Sequence, residues 1–176
     1  MIRITGGTFR SRLLETPDSG LTKPTMDKVR AAVFSALQQD KISSVLDLFA
    51  GSGSYGFEAL SRGAKHVTFV DKSSEAIKAI KSNASKLGVK DIDIYQKDSL
   101  SFLKESEEKF DAIFVDPPYK LEVYSEAVDI ILKRELLNEF GIIVLESEKE
   151  LTLPSESFSS VKLYKYGLAK VYILRK

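Results

Sequence analysis

The sequence of 176 residues contains no cysteine and only one histidine, His66. Without cysteine the protein has neither a disulfide framework nor a thiolate metal site. One histidine cannot form a metal cluster by itself, and its place at the start of a predicted strand favours a plain surface role. We therefore expect no bound metal.

Long apolar runs are missing as well. No stretch approaches the roughly 18 consecutive apolar residues of a membrane-spanning helix. The first seven residues lack the apolar core and the cleavage site of a signal peptide. Together with the absence of cysteine, these features predict a cytoplasmic protein that does not associate with a membrane.

What remains is the composition of an ordinary globular protein, with 43% hydrophobic and 29% charged residues. A chain of this length suits a single domain, residues 1–176. We divide it into a basic amino-terminal extension with its helix (1–40) and a core (41–176).

Charge is unevenly distributed along the chain, although the net charge is only +1. Among residues 1–30, six side chains are basic and three are acidic; the basic ones are Arg3, Arg10, Arg12, Lys23, Lys28 and Arg30. This segment, the basic arm, suits contacts with phosphate groups, whereas charge alone favours a solvated surface.

Short apolar runs alternate with helical patterns. Strands are predicted from Val45 to a glycine-rich bend and at 66–70, 92–95, 110–115, 141–145, 161–164 and 168–174. Helices are predicted from an N-cap at Thr25 to about Gln39, and at 54–62, 74–88 and 123–137. This order predicts an α/β fold with a mostly parallel sheet, helices on both faces, an antiparallel edge pair, and a short initial hairpin with turns at 6–7 and 17–20.

The glycine-rich bend runs from Phe49 to Gly56 and joins the first core strand to a helix. Glycines allow the backbone to approach a ligand closely, and a helix N-terminus offers unpaired N–H groups. Gly51, Gly53 and Gly56 spell G-x-G-x-x-G, which in the right context indicates NAD. Asp47 argues against NAD, because a pyrophosphate gains nothing from a nearby carboxylate, whereas a cationic sulfonium does. Asp47 could also brace the glycine turn.

Polar groups follow four predicted strands, at Gly51–Gly53, Asp71, Asp98 and Asp116. Ligands of such sheets bind beyond the carboxyl ends of the strands, so these groups should meet at one rim. Asp71 lies twenty residues after Gly51, where a carboxylate binds ribose hydroxyls. Asp98 and the Ser99 N–H suit an adenine ring. Either aspartate could instead be a simple helix cap.

The most specific signal is Asp116-Pro117-Pro118-Tyr119, for which a chance match in this length is roughly one in a thousand. The prolines stiffen the loop and remove N–H donors, so the Asp116 carboxylate and the Pro117 carbonyl can both accept from one exocyclic NH₂ group. Tyr119 offers a flat face for a flipped base. Holding an aromatic amine in this way suits methyl transfer, because two acceptors turn its lone pair out of the ring.

At these residues the sequence resembles the class I S-adenosylmethionine-dependent methyltransferases, and more narrowly the RsmD family. The match covers nearly the whole chain, and it rests on these segments: Arg3-Ile4-Thr5-Gly6-Gly7 with Arg10 and Arg12, Lys23-Pro24-Thr25-Met26-Asp27-Lys28-Val29-Arg30, Asp47 to Gly53 with Gly56 and Glu58 to Ala64, and the Asp116-Pro117-Pro118-Tyr119 loop. Lys23 and Lys28 stand where the family usually has arginine, Ser54-Tyr55 replaces a usual Ala-Leu pair, and Asp71 replaces glutamate.

The resemblance implies a Rossmann-like fold with a seven-stranded sheet, and methylation of guanine N2 in small-subunit ribosomal RNA, at guanine 966 of 16S rRNA. The RNA would be presented within the small subunit or its assembly intermediate. The resemblance implies cofactor contacts from Asp47, Phe49, Ala50, Gly51, Ser52, Gly53, Gly56, Asp71, Lys72, Asp98 and Ser99, catalytic roles for Asp116, Pro117, Pro118 and Tyr119, and RNA contacts from the six basic residues of the arm.

Three alternatives remain open from the sequence. An amino-methyltransferase of adenine N6 or of a glutamine amide uses a related loop. An NAD-dependent oxidoreductase would bind NAD. A non-catalytic RNA-binding factor could keep the fold without the reaction.

Overall fold

The computed structural model describes residues 1–17, 24–118 and 121–176. Its strands are β1 (Ile2–Arg3), β2 (Leu13–Leu14), β3 (Ser44–Leu48), β4 (His66–Asp71), β5 (Ile92–Gln96), β6 (Phe110–Val115), β7 (Leu137–Ser147), β8 (Ser160–Tyr166) and β9 (Ala169–Arg175). Its helices are α1 (Pro24–Ala36), α2 (Ser54–Ser61), α3 (Ser74–Leu87), α4 (Ser99–Glu105) and α5 (Tyr124–Lys133), with a 3₁₀ turn at Ser155–Ser157.

Seven strands form one sheet in the order β5-β4-β3-β6-β7-β9-β8. β5, β4, β3, β6 and β7 are parallel, whereas β9 and β8 add an antiparallel edge. The chain moves outward from β3 through β4 to β5 and then crosses to β6 on the other side. Strand order therefore reverses between β3 and β6, where sheets of this kind bind ligands. The predicted fold class is confirmed.

Each face of the sheet has its own apolar core. Val45, Phe69 and Phe114 point to the face covered by α1, α2 and α3. Their strand neighbours, such as Leu46 and Ile113, point to the face covered by α4 and α5. This alternation explains why the parallel strands are continuous apolar runs, since both of their faces are buried.

The amino-terminal segment is tied to the core through one carboxylate, Glu58 of α2, which is fully buried at 0% exposure. Glu58 accepts hydrogen bonds from the Thr5 N–H and hydroxyl, the Gly6 N–H, and the guanidinium groups of Arg30 and Arg62. Burial by itself raises the pKa of Glu58, but the bonds from Thr5 and Arg62 and the charge of Arg30 outweigh it and hold the pKa below its usual value.

Asn83 of α3 makes a second tie. Its side-chain amide donates to the carbonyls of Glu15 and Ser52, both at 3.0 Å, and its oxygen accepts from the Glu15 N–H at 2.7 Å. One buried side chain thus connects the amino-terminal segment to the glycine bend. The short initial hairpin predicted from the sequence is present as the antiparallel pair β1–β2.

Several predicted boundaries were wrong. Helix α1 begins at Pro24, so Thr25 lies inside the helix and is not its N-cap. Helix α5 ends at Lys133, not at Leu137, because Glu135 adopts a left-handed φ of 54° and stops the helix without a glycine. Strand β7 starts at Leu137, four residues before the predicted start at Gly141. Its first residues are polar in part, and they are accommodated by an irregular pairing with β6 between Phe110 and Ala112.

Helix α4 was not predicted, although its start signal was present. Asp98 caps it by accepting a hydrogen bond from the Ser101 N–H at 2.9 Å. The turn predicted at 17–20 falls mainly on residues outside the described part of the chain. His66 is the first residue of β4, has 40% of its side chain exposed and pairs with Asp93, in keeping with a surface role.

Candidate active site

A cavity of about 380 Å³ opens at the carboxyl ends of the strands, on either side of the β3–β6 switch point. Four segments that follow different strands line it: Phe49 and Gly51, Asp71 and Lys72, Asp98 and Ser99, and Asp116, Pro117 and Pro118. The glycine bend and the Asp116 loop therefore face the same space. Met26, Leu100, Leu121 and Val123 add apolar walls that the sequence did not indicate.

The glycine bend has a left-handed backbone at three positions. Phe49, Gly51 and Gly53 have φ values of 57°, 55° and 78°. Phenylalanine adopts such a φ only when its surroundings enforce it, and such residues concentrate at binding sites. Here the Phe49 N–H donates to the Ser99 hydroxyl at 3.3 Å, which joins the bend to the start of α4.

Asp71 is fixed by the two segments that flank it. One carboxylate oxygen accepts from the Gly51 N–H and the other from the Ser73 N–H, both at 2.8 Å. Each oxygen keeps a free lone pair for a ligand, since a carboxylate accepts about four hydrogen bonds. The position suits a ligand with vicinal hydroxyl groups.

Asp98 also lines the cavity while it caps α4. The hydrogen bond from the Ser101 N–H is the largest reason why the pKa of Asp98 lies below its usual value. The carboxylate is therefore ionised at neutral pH and able to accept from an amino group. The simple-cap interpretation and the ligand interpretation are compatible at this residue.

Five predicted cofactor residues do not line the cavity: Asp47, Ala50, Ser52, Gly53 and Gly56. They lie behind its wall and shape the bend. A Cβ atom on Gly56 would lie 2.3 Å from the Phe69 ring, so this glycine allows α2 to approach the sheet. Its N–H donates to the Asp47 carboxylate at 2.9 Å, so Asp47 braces the turn, one of the two roles considered from the sequence.

The Asp116 loop carries two acceptors, the Asp116 carboxylate and the Pro117 carbonyl, on residues that line the cavity. Within residues 1–17, 24–118 and 121–176, no group donates a hydrogen bond to the Asp116 carboxylate or to the Pro117 carbonyl. The Pro118 carbonyl instead accepts from the Leu121 N–H at 2.9 Å, which closes the loop. Tyr119, the predicted stacking residue, lies outside the described residues.

Carboxyl groups are concentrated around this loop. Burial, followed by the charges of Glu146 and Asp47, raises the pKa of Asp116 well above its usual value. Burial likewise raises the pKa of Asp47 to about 8, against the opposing hydrogen bond from Gly56. A ligand that brings positive charge would favour the ionised forms of both carboxyl groups.

Glu146 was missed in the sequence analysis. It is the next-to-last residue of β7, is 6% exposed, and accepts a hydrogen bond from the Tyr55 hydroxyl at 2.6 Å. A signal was available, because Glu146 directly follows the apolar run 142–145, where an acid is unusual. Tyr55 gave no such signal, since its partner lies 91 residues away along the chain.

The described basic residues of the arm are exposed in some cases and buried in another. Arg3, Arg10, Arg12 and Lys28 are exposed, and Arg12 also donates to the Lys86 carbonyl at 2.9 Å. Arg30 is 2% exposed and binds Glu58, Asp27 and the Arg3 carbonyl, so the expectation that it is free to meet RNA is wrong. Its helical position lies toward the core, where it neutralises Glu58. Lys23 lies outside the described residues.

Replacing Asp47 tests the electrostatics. Folding raises the pKa of Asp47 from about 4 to about 8. Such an acid lowers the free energy of unfolding progressively as the pH rises from the unfolded-state pKa to the folded-state pKa. Asp47→Asn keeps an acceptor for Gly56 and removes the charge. We expect it to raise the free energy of unfolding by about 2 kcal/mol at pH 8 and by much less at pH 5.

Urea unfolding at both pH values measures this difference. Asp91→Asn, at an exposed aspartate, serves as the control and should change stability equally little at each pH. An Asp47 variant whose effect is the same at pH 5 and pH 8 would contradict the assigned protonation.

Among the described residues there is no group of three or more histidine, cysteine or acidic side chains placed to hold a metal ion. Nor does the described part of the chain include a helix with the length and apolar character needed to cross a membrane.

Comparisons with known proteins agree with this architecture. The family model described as "Conserved hypothetical protein 95" matches residues 2–175. The "Putative rRNA methyltransferase YlbH" of Bacillus subtilis (strain 168) is 37% identical over 182 residues, which cover 99% of each chain. The "Ribosomal RNA small subunit methyltransferase D" of Escherichia coli (strain K12) is 34% identical over 155 residues, covering 88% of this chain and 78% of that one.

A solved structure described as "Putative methyltransferase yhhF from Escherichia coli" superposes with a TM-score of 0.86 and 29% sequence identity. The match covers 99% of this chain and 97% of that chain. The likeness therefore includes the amino-terminal segment as well as the sheet.

Proposed function

Because this chain belongs to the conserved hypothetical protein 95 family, which is the RsmD family, we propose that it methylates the exocyclic N2 amine of a guanine in small-subunit ribosomal RNA. The methyl donor is S-adenosylmethionine. By resemblance the target is guanine 966 of 16S rRNA, presented in the cytoplasm by the small subunit or its assembly intermediate.

The residues of the cavity fit this donor. Asp71 suits the ribose hydroxyls, and Asp98 with Ser99 suits the adenine, beside the apolar wall of Leu100. The carboxyl groups of Asp47 and Asp116 suit a sulfonium cation, which favours their ionised forms, whereas the negative charge of a pyrophosphate opposes ionisation; we therefore prefer this donor to NAD. When bound, S-adenosylmethionine supplies a methyl group made electrophilic by the positively charged sulfur.

Asp116 and Pro117 would bind the target amine. The two acceptors are free of other described donors, so the two N–H groups of one amine can satisfy both. This grip orients the amine and keeps its lone pair directed into the cavity. It also stabilises the positive charge that develops on nitrogen as the new bond forms. Tyr119 is proposed to stack on the base.

The basic arm would position the RNA. Arg3, Arg10, Arg12 and Lys28 offer exposed cations for phosphate groups, and Lys23 is proposed as a fifth. Phosphate contacts fix orientation and do not read the base. Identity of the base is therefore left to the cavity and the Asp116 loop.

The observation that carries this proposal is that the glycine bend and the Asp116 loop line one cavity. The test is to incubate the protein with methyl-labelled S-adenosylmethionine and small subunits from cells that lack the enzyme, and then to identify the labelled nucleoside. We expect N2-methylguanosine. Labelled methyladenosine or labelled protein would instead support the adenine or glutamine alternatives, and binding without label would support the non-catalytic one.

A further inference from the structure

Three adjacent strands carry a carboxylate near their carboxyl ends, on the same face of the sheet. β3 contributes Asp47, which pairs in register with Phe114 of β6. β6 and β7 stay in register through Val115 and Leu145, so the next residues, Asp116 and Glu146, come side by side. The Asp116 loop therefore has a second carboxylate as its direct neighbour.

Glu146 is held in place from two helices. The Tyr55 hydroxyl of α2 donates to its carboxylate at 2.6 Å, and the Tyr124 hydroxyl of α5 donates to its main-chain carbonyl at 2.8 Å. The Tyr55 ring stacks on Phe114 with 4.9 Å between ring centres, which fixes the direction of its hydroxyl. A buried acid that two hydrogen bonds hold beside Asp116 is well placed to act together with it.

We propose that Glu146, oriented by Tyr55, is a positioning residue of the methyl-transfer site and shares with Asp116 the proton that leaves the target amine. This inference rests on the proposed function. Glu146 lies outside the Asp-Pro-Pro loop, and in this proposal it helps Asp116 to hold the proton that the amine releases.

Methyl transfer to an amine releases a proton that such a group can accept. As the N–C bond forms, the S–C bond breaks and its electron pair stays on sulfur. The nitrogen then carries a positive charge and loses one proton, while the electron pair of that N–H bond returns to nitrogen. The proton is acidic at this point, so a carboxylate is a strong enough acceptor. The positive charge on nitrogen favours the ionised form of Asp116, which touches the amine and takes the proton, and Glu146 stabilises the proton there by sharing it.

The charges around Glu146 favour one shared proton. Asp116 lies beside it on the neighbouring strand, and Asp47 lies beyond Asp116 on β3. Tyr55 of α2 and Arg30 of α1 also act on Glu146. Burial raises the pKa of Glu146, whereas the Tyr55 hydrogen bond and the Arg30 charge oppose that rise. Arg30 is itself bound by Glu58 and Asp27. Two neighbouring buried carboxylates then titrate as one coupled pair.

The test is Glu146→Gln, which keeps the shape and an acceptor for Tyr55 but removes the charge. We follow the carboxyl groups by ¹³C NMR titration and the pH profile of kcat with small subunits as substrate. We expect the Asp116 titration, and with it the acidic limb of the profile, to move to lower pH by about one unit. Glu139→Gln, at the exposed opposite end of β7, should move neither.

An unmoved titration would overturn the proposal, and so would a moved titration with an unmoved acidic limb. If Glu146→Gln does not fold, Tyr55→Phe keeps the stacked ring and removes only the donor, and it should raise the pH at which Glu146 titrates. Failure of the proposed function itself looks different: the wild-type protein would then transfer no methyl group to guanine N2 at any pH, although the titration shift would still be observed.

Discussion

Asp116→Ala should lower the rate of methyl transfer by about 1,000-fold or more while the affinity for S-adenosylmethionine stays within a few-fold. The carboxylate is one of two acceptors proposed for the target amine, and the other cavity residues that suit the cofactor are untouched. No described residue donates to Asp116, so its removal leaves no donor of the described chain unpaired, and we expect the fold to persist.

Single-turnover rates and calorimetric titration of the cofactor separate the two effects. Asp129→Ala, at an exposed aspartate of α5, is the matched control and should leave both unchanged. A variant that transfers normally, or one that folds but binds no cofactor, would place Asp116 in a different role.

Glu58→Ala should cost about 3–5 kcal/mol of unfolding free energy, because it removes the partner of a buried charge. The five hydrogen bonds that Glu58 accepts come from the amino-terminal segment and two arginines. Without it, Arg30 stays buried beside only Asp27 and the Arg3 carbonyl. We expect residues 1–17 to become susceptible to proteolysis before the core unfolds.

The contribution of Glu58 also depends on pH. Its pKa is lower in the folded than in the unfolded protein, so its stabilisation is complete above the unfolded value and is lost as the pH falls through the folded value. Chemical unfolding of wild type and variant between pH 3 and 7 should therefore converge at the acid end. Glu107→Ala, at an exposed residue, provides the comparison; an equal loss of stability in both variants would refute the anchoring role of Glu58.

Local signals predicted most of the fold correctly. Apolar runs fixed the strands because both faces of a parallel sheet are buried, and Ser73 and Gly88 mark the ends of α3 through standard caps. Two of the errors lie where a non-glycine residue takes a glycine-like backbone, at Glu135, and where a strand tolerates an irregularity, near Phe140. Neither event leaves a local mark in the sequence.

The site was predictable to the extent that strand ends share one rim. That rule brought Gly51, Asp71, Asp98 and Asp116 together from separate segments. It could not show that Arg30 turns inward, because helical spacing gives the face of a residue but not the buried acid that attracts it. For the same reason the Tyr55–Glu146 pair was invisible, since it depends on packing between distant segments.

The central claim is that the loop after β6 holds a nucleobase amine opposite the methyl donor. A crystal structure with S-adenosylhomocysteine and an RNA fragment containing the target guanine tests it most directly. We predict that guanine N2 lies within about 3 Å of both the Asp116 carboxylate and the Pro117 carbonyl, facing the sulfur. A guanine whose amine lies elsewhere, with the Asp116 loop turned away from the sulfur, would contradict it.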